Sequence, residues 1–232
     1  DTFGVIGVCG ENGNLMARIL KQRGYNVIGT DLSFKKDCRF AKSLEGYDIE
    51  VFYGQTPEAF FKKADYVIPP LSLPKDAEII KNCEKPILEL PEVIDMIKPE
   101  KPVFGITGTN GKTTSTTLLK KIAYDNGIKP CEHDLEGMQG NAEFIPILQS
   151  RLNGDVGILE VGTFGVPGTV GRIVKHTEMS GGLITNITPD HLKDLGSFID
   201  YANVKGEFIK ELGIGQLIVN GHDPTIMGLL RE

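Results

Sequence analysis

Short apolar runs alternate with stretches of helical periodicity from the first residues onward. Residues 3–8 form an apolar strand pattern, and Leu15, Met16, Ile19 and Leu20 follow at the spacing of one helix face. Residues 25–29 predict a second strand that runs on to Asp31. Further strands are predicted at 49–53 and 65–68, with a helix near 57–63 between them. The pair Pro69-Pro70 stops the last of these, because proline has no N–H to continue a ladder. A helix around 75–82, a strand at 86–88 and a helix at 91–97 complete this part. Strands and helices in such alternation predict a parallel sheet covered on both faces. The charged, proline-bracketed stretch 98–102 is read as a domain boundary.

The second part opens with a buried strand at 103–106 and a helix from Thr113 to about Asn126, stopped by Gly127. A polar stretch at 132–141 precedes an apolar strand at 155–161 that carries Glu160 near its end. Residues 163–168 read as a loop, and the strand 182–186 runs into Ile187-Thr-Pro-Asp-His-Leu192. A helix over 197–212 carries Tyr201, Lys205 and Phe208, and the strand 216–220 leads into a turn at 220–224.

Two glycine turns hold the candidate chemistry. Between strand 103–106 and its helix lie Gly105, Gly108 and Gly111, followed at once by Lys112 and Thr113. Glycines let a backbone bend tightly and turn its N–H groups to one side, and the helix start adds its own unpaired donors. A lysine there can reach terminal phosphates and a threonine hydroxyl can hold Mg²⁺, as in a P-loop. The general G-x-x-x-x-G-K-[ST] pattern fails at one position, where Ile106 replaces glycine. A tight turn with a surface lysine would explain the glycines, but not Lys112-Thr113-Thr114 at the helix mouth. The other turn, Gly7-x-x-Gly10-x-x-Gly13, follows the first strand, and Asp31 ends the second. This β-turn-α-β-Asp order suits a nucleotide at the carboxyl ends of parallel strands, although the spacing is not G-x-G-x-x-G. Asp31 accepts from a sugar hydroxyl on one reading and caps a loop on the other. Glu160 is a metal or water-orienting candidate, or a solvent-facing carboxylate; Asn141 is a candidate donor to a γ-phosphate. Lys205, flanked by Val204 and Gly206, lies in the site on one reading; periodicity alone favours an exposed lysine.

Composition narrows the classes. The 232 residues are 40% hydrophobic and carry a net charge of -6, so no general basic surface asks for nucleic acid. No run of 18 apolar residues and no signal-like start is present, which predicts no membrane association. Cys9, Cys38, Cys83 and Cys131 have no C-x-x-C spacing and predict isolated thiols in a cytoplasmic chain. His133, His176 and His222 show no metal-ligand spacing.

The chain resembles the Mur ligase family of ATP-dependent amide ligases. The resemblance rests on Gly108-Thr-Asn-Gly-Lys-Thr-Thr114, Gly140-Asn141, the strand end at Glu160, Asn186-Ile-Thr-Pro-Asp-His-Leu192, and Lys205 placed 14 residues after His191. It implies that the loop residues Gly108, Thr109, Asn110, Gly111, Lys112, Thr113 and Thr114 hold ATP, with Asn141 near its γ-phosphate. It also implies two Mg²⁺ ions held by Thr113, Glu160, His191 and a carbamoylated Lys205, with Lys112, Glu160, His191 and Lys205 catalytic. Residues 1–98 would be a Rossmann-like domain that binds a UDP-linked sugar-peptide or amino-acid acceptor through Gly7, Gly10, Gly13 and Asp31. Residues 103–232 would be the N-terminal part of a P-loop α/β ATPase domain. Gly162-Thr-Phe-Gly165 stands where the peptidoglycan enzymes carry a Ser/Thr-Ser pair, and with Gly137-Met-Gln-Gly-Asn141 it resembles the archaeal pseudomurein branch. The resemblance implies that an amino acid is joined to a carboxylate through an acyl phosphate, and that these residues alone are inactive. A folate- or tetrapyrrole-type ligase, and a nucleotide-binding ATPase or scaffold, are the alternatives.

Overall fold

In the computed structural model the chain forms two compact units, Asp1–Ile97 with His133, and Lys98–Glu132 continued by the described part of the remaining chain. The structure describes residues 1–54, 58–133, 144–163, 166–189, 197–212 and 217–231. Both units are α/β, and every strand pair is parallel among the described residues.

The first unit runs β1 (Thr2–Ile6), α1 (Glu11–Gln22), β2 (Asn26–Asp31), α2 (Ala41–Gly46), β3 (Glu50–Tyr53), α3 (Glu58–Lys63), β4 (Tyr66–Ile68), α4 (Glu78–Lys81) and α5 (Leu90–Met96). Its strand order is β3-β2-β1-β4. Leu15, Met16, Ile19 and Leu20 of α1 are almost wholly buried, as their helical spacing requires. The predicted strand at 86–88 is only a bridge, Ile87 against Val67. Pro86 contributes its carbonyl to Val67 N–H but has no N–H to extend a ladder.

Cys9 and Cys38 are joined in a disulfide, with Cα atoms 5.1 Å apart. This corrects the expectation of isolated thiols. Parallel neighbours β1 and β2 end on the same side, so the turns that leave them meet although 29 residues separate the cysteines. Cys83 and Cys131 are free, and burial pushes the Cys131 thiol above its ordinary pKa.

The second unit runs β5 (Val103–Thr107), α6 (Lys112–Asp125), α7 (Ile145–Gln149), β6 (Gly157–Glu160), α8 (Thr169–Thr177), β7 (Gly181–Ile184), α9 (Phe198–Leu212), β8 (Leu217–Val219) and α10 (Pro224–Leu229). Its order is β6-β5-β7-β8, so β5 lies between β6 and β7. Ile106 pairs with Glu160 and Thr107 with Ile184, which brings three strand ends to one level. No helix among the described residues is long and apolar enough to cross a membrane.

Asp223 fastens the last elements. Its Oδ1 accepts from Thr225 N and Ile226 N at the start of α10, and its Oδ2 accepts from Ile187 N at 2.8 Å. Asp223→Ala removes the cap and leaves the Ile187 N–H buried without its acceptor. A loss of about 2–4 kcal/mol is expected. Differential scanning calorimetry checks it, and an unchanged melting temperature would refute the role.

Candidate active site

Those of the second unit's candidate residues that are among the described residues gather where β5, β6 and β7 end. β5 stops at Thr107 and α6 starts at Lys112, with Gly111 as its N-cap in the left-handed region at φ 83°. Gly108 has φ 140°, and a Cβ there would lie 2.1 Å from Thr185 Oγ1, so only glycine fits. The turn therefore delivers Lys112, Thr113 and Thr114 to the first turn of a helix whose leading N–H groups have no intrahelical acceptor.

Side chains converge on this turn. Lys112 Nζ folds back to donate to the carbonyls of Gly108 (3.0 Å) and Thr109 (2.9 Å). Thr113 Oγ1 donates to Glu160 Oε2 at 2.8 Å, which joins the helix start to the end of β6. The hydroxyl and carboxylate are hard oxygen donors of the kind Mg²⁺ takes. Among the described residues there is no group of three or more His, Cys, Asp or Glu that could hold a metal. Asn141, in 134–143, and His191, in 190–196, lie outside the described residues.

Lys205 is 2% exposed, which corrects the periodicity reading of a surface lysine. Its Nζ is 3.5 Å from Thr107 Oγ1 and 5.8 Å from the centre of the Tyr201 ring. Tyr201 is equally buried, and its hydroxyl is 3.1 Å from Thr109 Oγ1. One face of α9 thus reaches both the end of β5 and the glycine turn. Sequence reading assigned no role to Tyr201, Thr185 or Asn186. The available signal was their position, one on the face shared with Lys205 and two immediately after a central strand.

In the first unit the glycine turn leads from β1 into α1. Gly7 has φ 78°, and a Cβ on Gly13 would lie 2.2 Å from the Gly7 carbonyl oxygen. That contact brings the helix hard against the turn, with Gly10 as N-cap. Asp31 Oδ2 accepts from Cys9 N and Oδ1 from Ser33 N, both at 2.9 Å, so its carboxylate does hold the loops together. The same residue also lines a cleft of about 670 Å³ with Gly7, Leu32, Phe61, Ile79 and Asn82. The cleft has apolar walls and polar groups at the carboxyl ends of β1 and β2, a setting suited to a nucleotide.

Comparison with known proteins agrees with these features. The sequence profile of the Mur ligase middle domain matches residues 106–232. The chain is 29% identical over 224 residues to UDP-N-acetylmuramoylalanine--D-glutamate ligase of Caldanaerobacter subterraneus subsp. tengcongensis, covering 95% of this chain and 48% of that protein. A pseudomurein peptide ligase type C from Methanothermus fervidus superposes with a TM-score of 0.85 at 37% identity, covering 98% of this chain and 46% of that one. The UDP-N-acetylmuramate-alanine ligase of Thermotoga maritima shares the fold, with a TM-score of 0.61 at 19% identity over 98% of this chain and 51% of its own. The chain spans about half the length of these relatives.

Proposed function

This chain belongs to the Mur ligase family, and from that premise we propose that it supplies the acceptor-binding and phosphate-handling parts of an ATP-dependent ligase. The proposed reaction joins a free amino acid to the carboxylate of a UDP-linked peptidoglycan or pseudomurein precursor and forms ADP and phosphate. The observation that carries this reading is the Thr113–Glu160 hydrogen bond beside the Gly108–Lys112 turn, with buried Lys205 at the end of β5, the strand that turn leaves. A lysine, a helix start and a hydroxyl paired with a carboxylate at one strand-end level support phosphoryl transfer.

The loop acts as a phosphate loop. First-turn N–H groups of α6 and the Lys112 ammonium bind the β- and γ-phosphates of ATP. Thr113 and Glu160, with His191 and a carbamoylated Lys205, are the proposed ligands of two Mg²⁺ ions. Bound there, Mg²⁺ supplies charge neutralisation as carboxylate and triphosphate approach. The acceptor carboxylate attacks the γ-phosphorus, one of its oxygens becomes the bridging oxygen of an acyl phosphate, and ADP leaves. The amino acid's amine adds to the acyl carbon. Collapse of the tetrahedral intermediate expels phosphate, releases a proton to solvent and leaves an amide. In the first unit, the Gly7/Gly10/Gly13 turn and α1 face the diphosphate of the acceptor, and Asp31 takes a ribose hydroxyl while it keeps its loop bonds. Both nucleotides are cytoplasmic, which makes the cytoplasm the proposed location.

The acyl phosphate gives this route an isotopic signature. With the acceptor carboxylate labelled with oxygen-18, the full-length protein is expected to release phosphate carrying one labelled oxygen for each amide formed. Unlabelled phosphate would mean that water, not the acceptor, takes the phosphoryl group.

A further inference from the structure

On the reading of the β5–α6 turn as a phosphate loop, we propose that Asn186 is the positioning residue that holds the loop in its anion-binding shape. Asn186 follows β7, immediately beside the turn. Its side-chain amide pairs with the backbone of Asn110 in both directions. Nδ2 donates to Asn110 O at 3.0 Å, and Oδ1 accepts from Asn110 N at 3.1 Å. Its own carbonyl accepts from Thr109 N at 2.8 Å. One residue thus makes three hydrogen bonds to two consecutive loop residues.

The pattern decides which loop groups a phosphate meets. An anion site fails if carbonyl oxygens turn into it, and a glycine-rich loop has the backbone freedom to let them. The Asn110 carbonyl is committed twice, to Asn186 Nδ2 and to Thr185 Oγ1 at 2.7 Å. The Thr107 carbonyl is committed to Thr185 N at 3.0 Å. The N–H groups of Thr109 and Asn110 are also engaged, so the leading donors of α6 are left for the anion. A primary amide suits this task because it presents donor and acceptor side by side, as a peptide does. The loop is shaped before nucleotide arrives, and the ordering cost of binding is reduced.

Two variants of the full-length protein test this. Asn186→Asp keeps the shape but sets an oxygen against the Asn110 carbonyl. Asn186→Ala removes both bonds without adding a charge that would itself repel phosphate. Calorimetric titration with ADP is expected to show about ten- to hundredfold weaker binding in both, from two lost hydrogen bonds in the alanine variant and from one lost bond plus carboxylate repulsion in the aspartate variant. Thermal unfolding is expected to stay cooperative at nearly the parent temperature, while the Thr109 and Asn110 amides exchange hydrogen faster. Parent-like ADP affinity and parent-like exchange would overturn the proposal. So would a collapse of the melting temperature in both variants, since Asn186 would then be a structural residue only. If the parent chain bound no ADP, the phosphate-loop reading would fail, and exchange at 109–110 would still decide whether Asn186 shapes the turn.

Discussion

Replacement of Lys112 by alanine in the full-length protein is expected to lower amino-acid-dependent ADP release by about 10²–10³-fold or more. The ammonium does two things. On the proposed reading it neutralises phosphate charge, and it also ties Gly108 and Thr109 through their carbonyls. Alanine loses both. Lys112→Met separates them in part, since it retains the length and apolar stem but neither charge nor donors, and it is expected to be nearly as inactive. The cleft proposed for UDP belongs to the other unit, so affinity for UDP is expected to be unchanged in both variants. Near-parent turnover in Lys112→Ala would remove the lysine from the chemistry.

Lys205→Ala carries the second large expected loss, again about 10²-fold or more in turnover. The buried Lys205 ammonium has the Thr107 hydroxyl, at 3.5 Å, and the Tyr201 ring among its neighbours. Carbamoylation by CO₂ would turn the cation into a carboxylate, the group a metal-assisted phosphoryl transfer can use. Short carboxylates added to Lys205→Ala are therefore expected to restore part of the activity. The parent protein equilibrated with carbon-13 bicarbonate is expected to show a carbamate carbonyl resonance that Lys205→Ala lacks. A fully active Lys205→Ala protein would rule the carbamate out.

Much of the fold was legible because its strands are short apolar runs closed by glycine or proline. The β5 run, its glycines and the Lys112-Thr113 pair announce the turn without reference to anything distant. Glu160 was legible only as a strand-end carboxylate; its bond to Thr113, 47 residues away in sequence, depends on the register of β6 against β5. Lys205 was a harder case. Periodicity favoured an exposed lysine, yet packing buries Lys205 on the helix together with Tyr201 and Phe208. The Cys9–Cys38 pair had no local sign, because parallel topology rather than spacing joins the two turns. Helices as short as Ala41–Gly46 and Ile145–Gln149 contain too few residues to show a period. Asn186 was visible as part of a motif, but its pairing with Asn110 is a matter of loop geometry that sequence does not display.

The central claim is that phosphate handling at the end of β5 serves amide formation on a UDP-linked acceptor. Its most direct test is mass-resolved product analysis of the full-length protein with ATP, candidate UDP-linked acceptors and mixed amino acids. An acceptor heavier by one amino-acid residue is expected, with one ADP released per bond formed. ATP hydrolysis that proceeds without an amino acid, and leaves every acceptor at its starting mass, would contradict it.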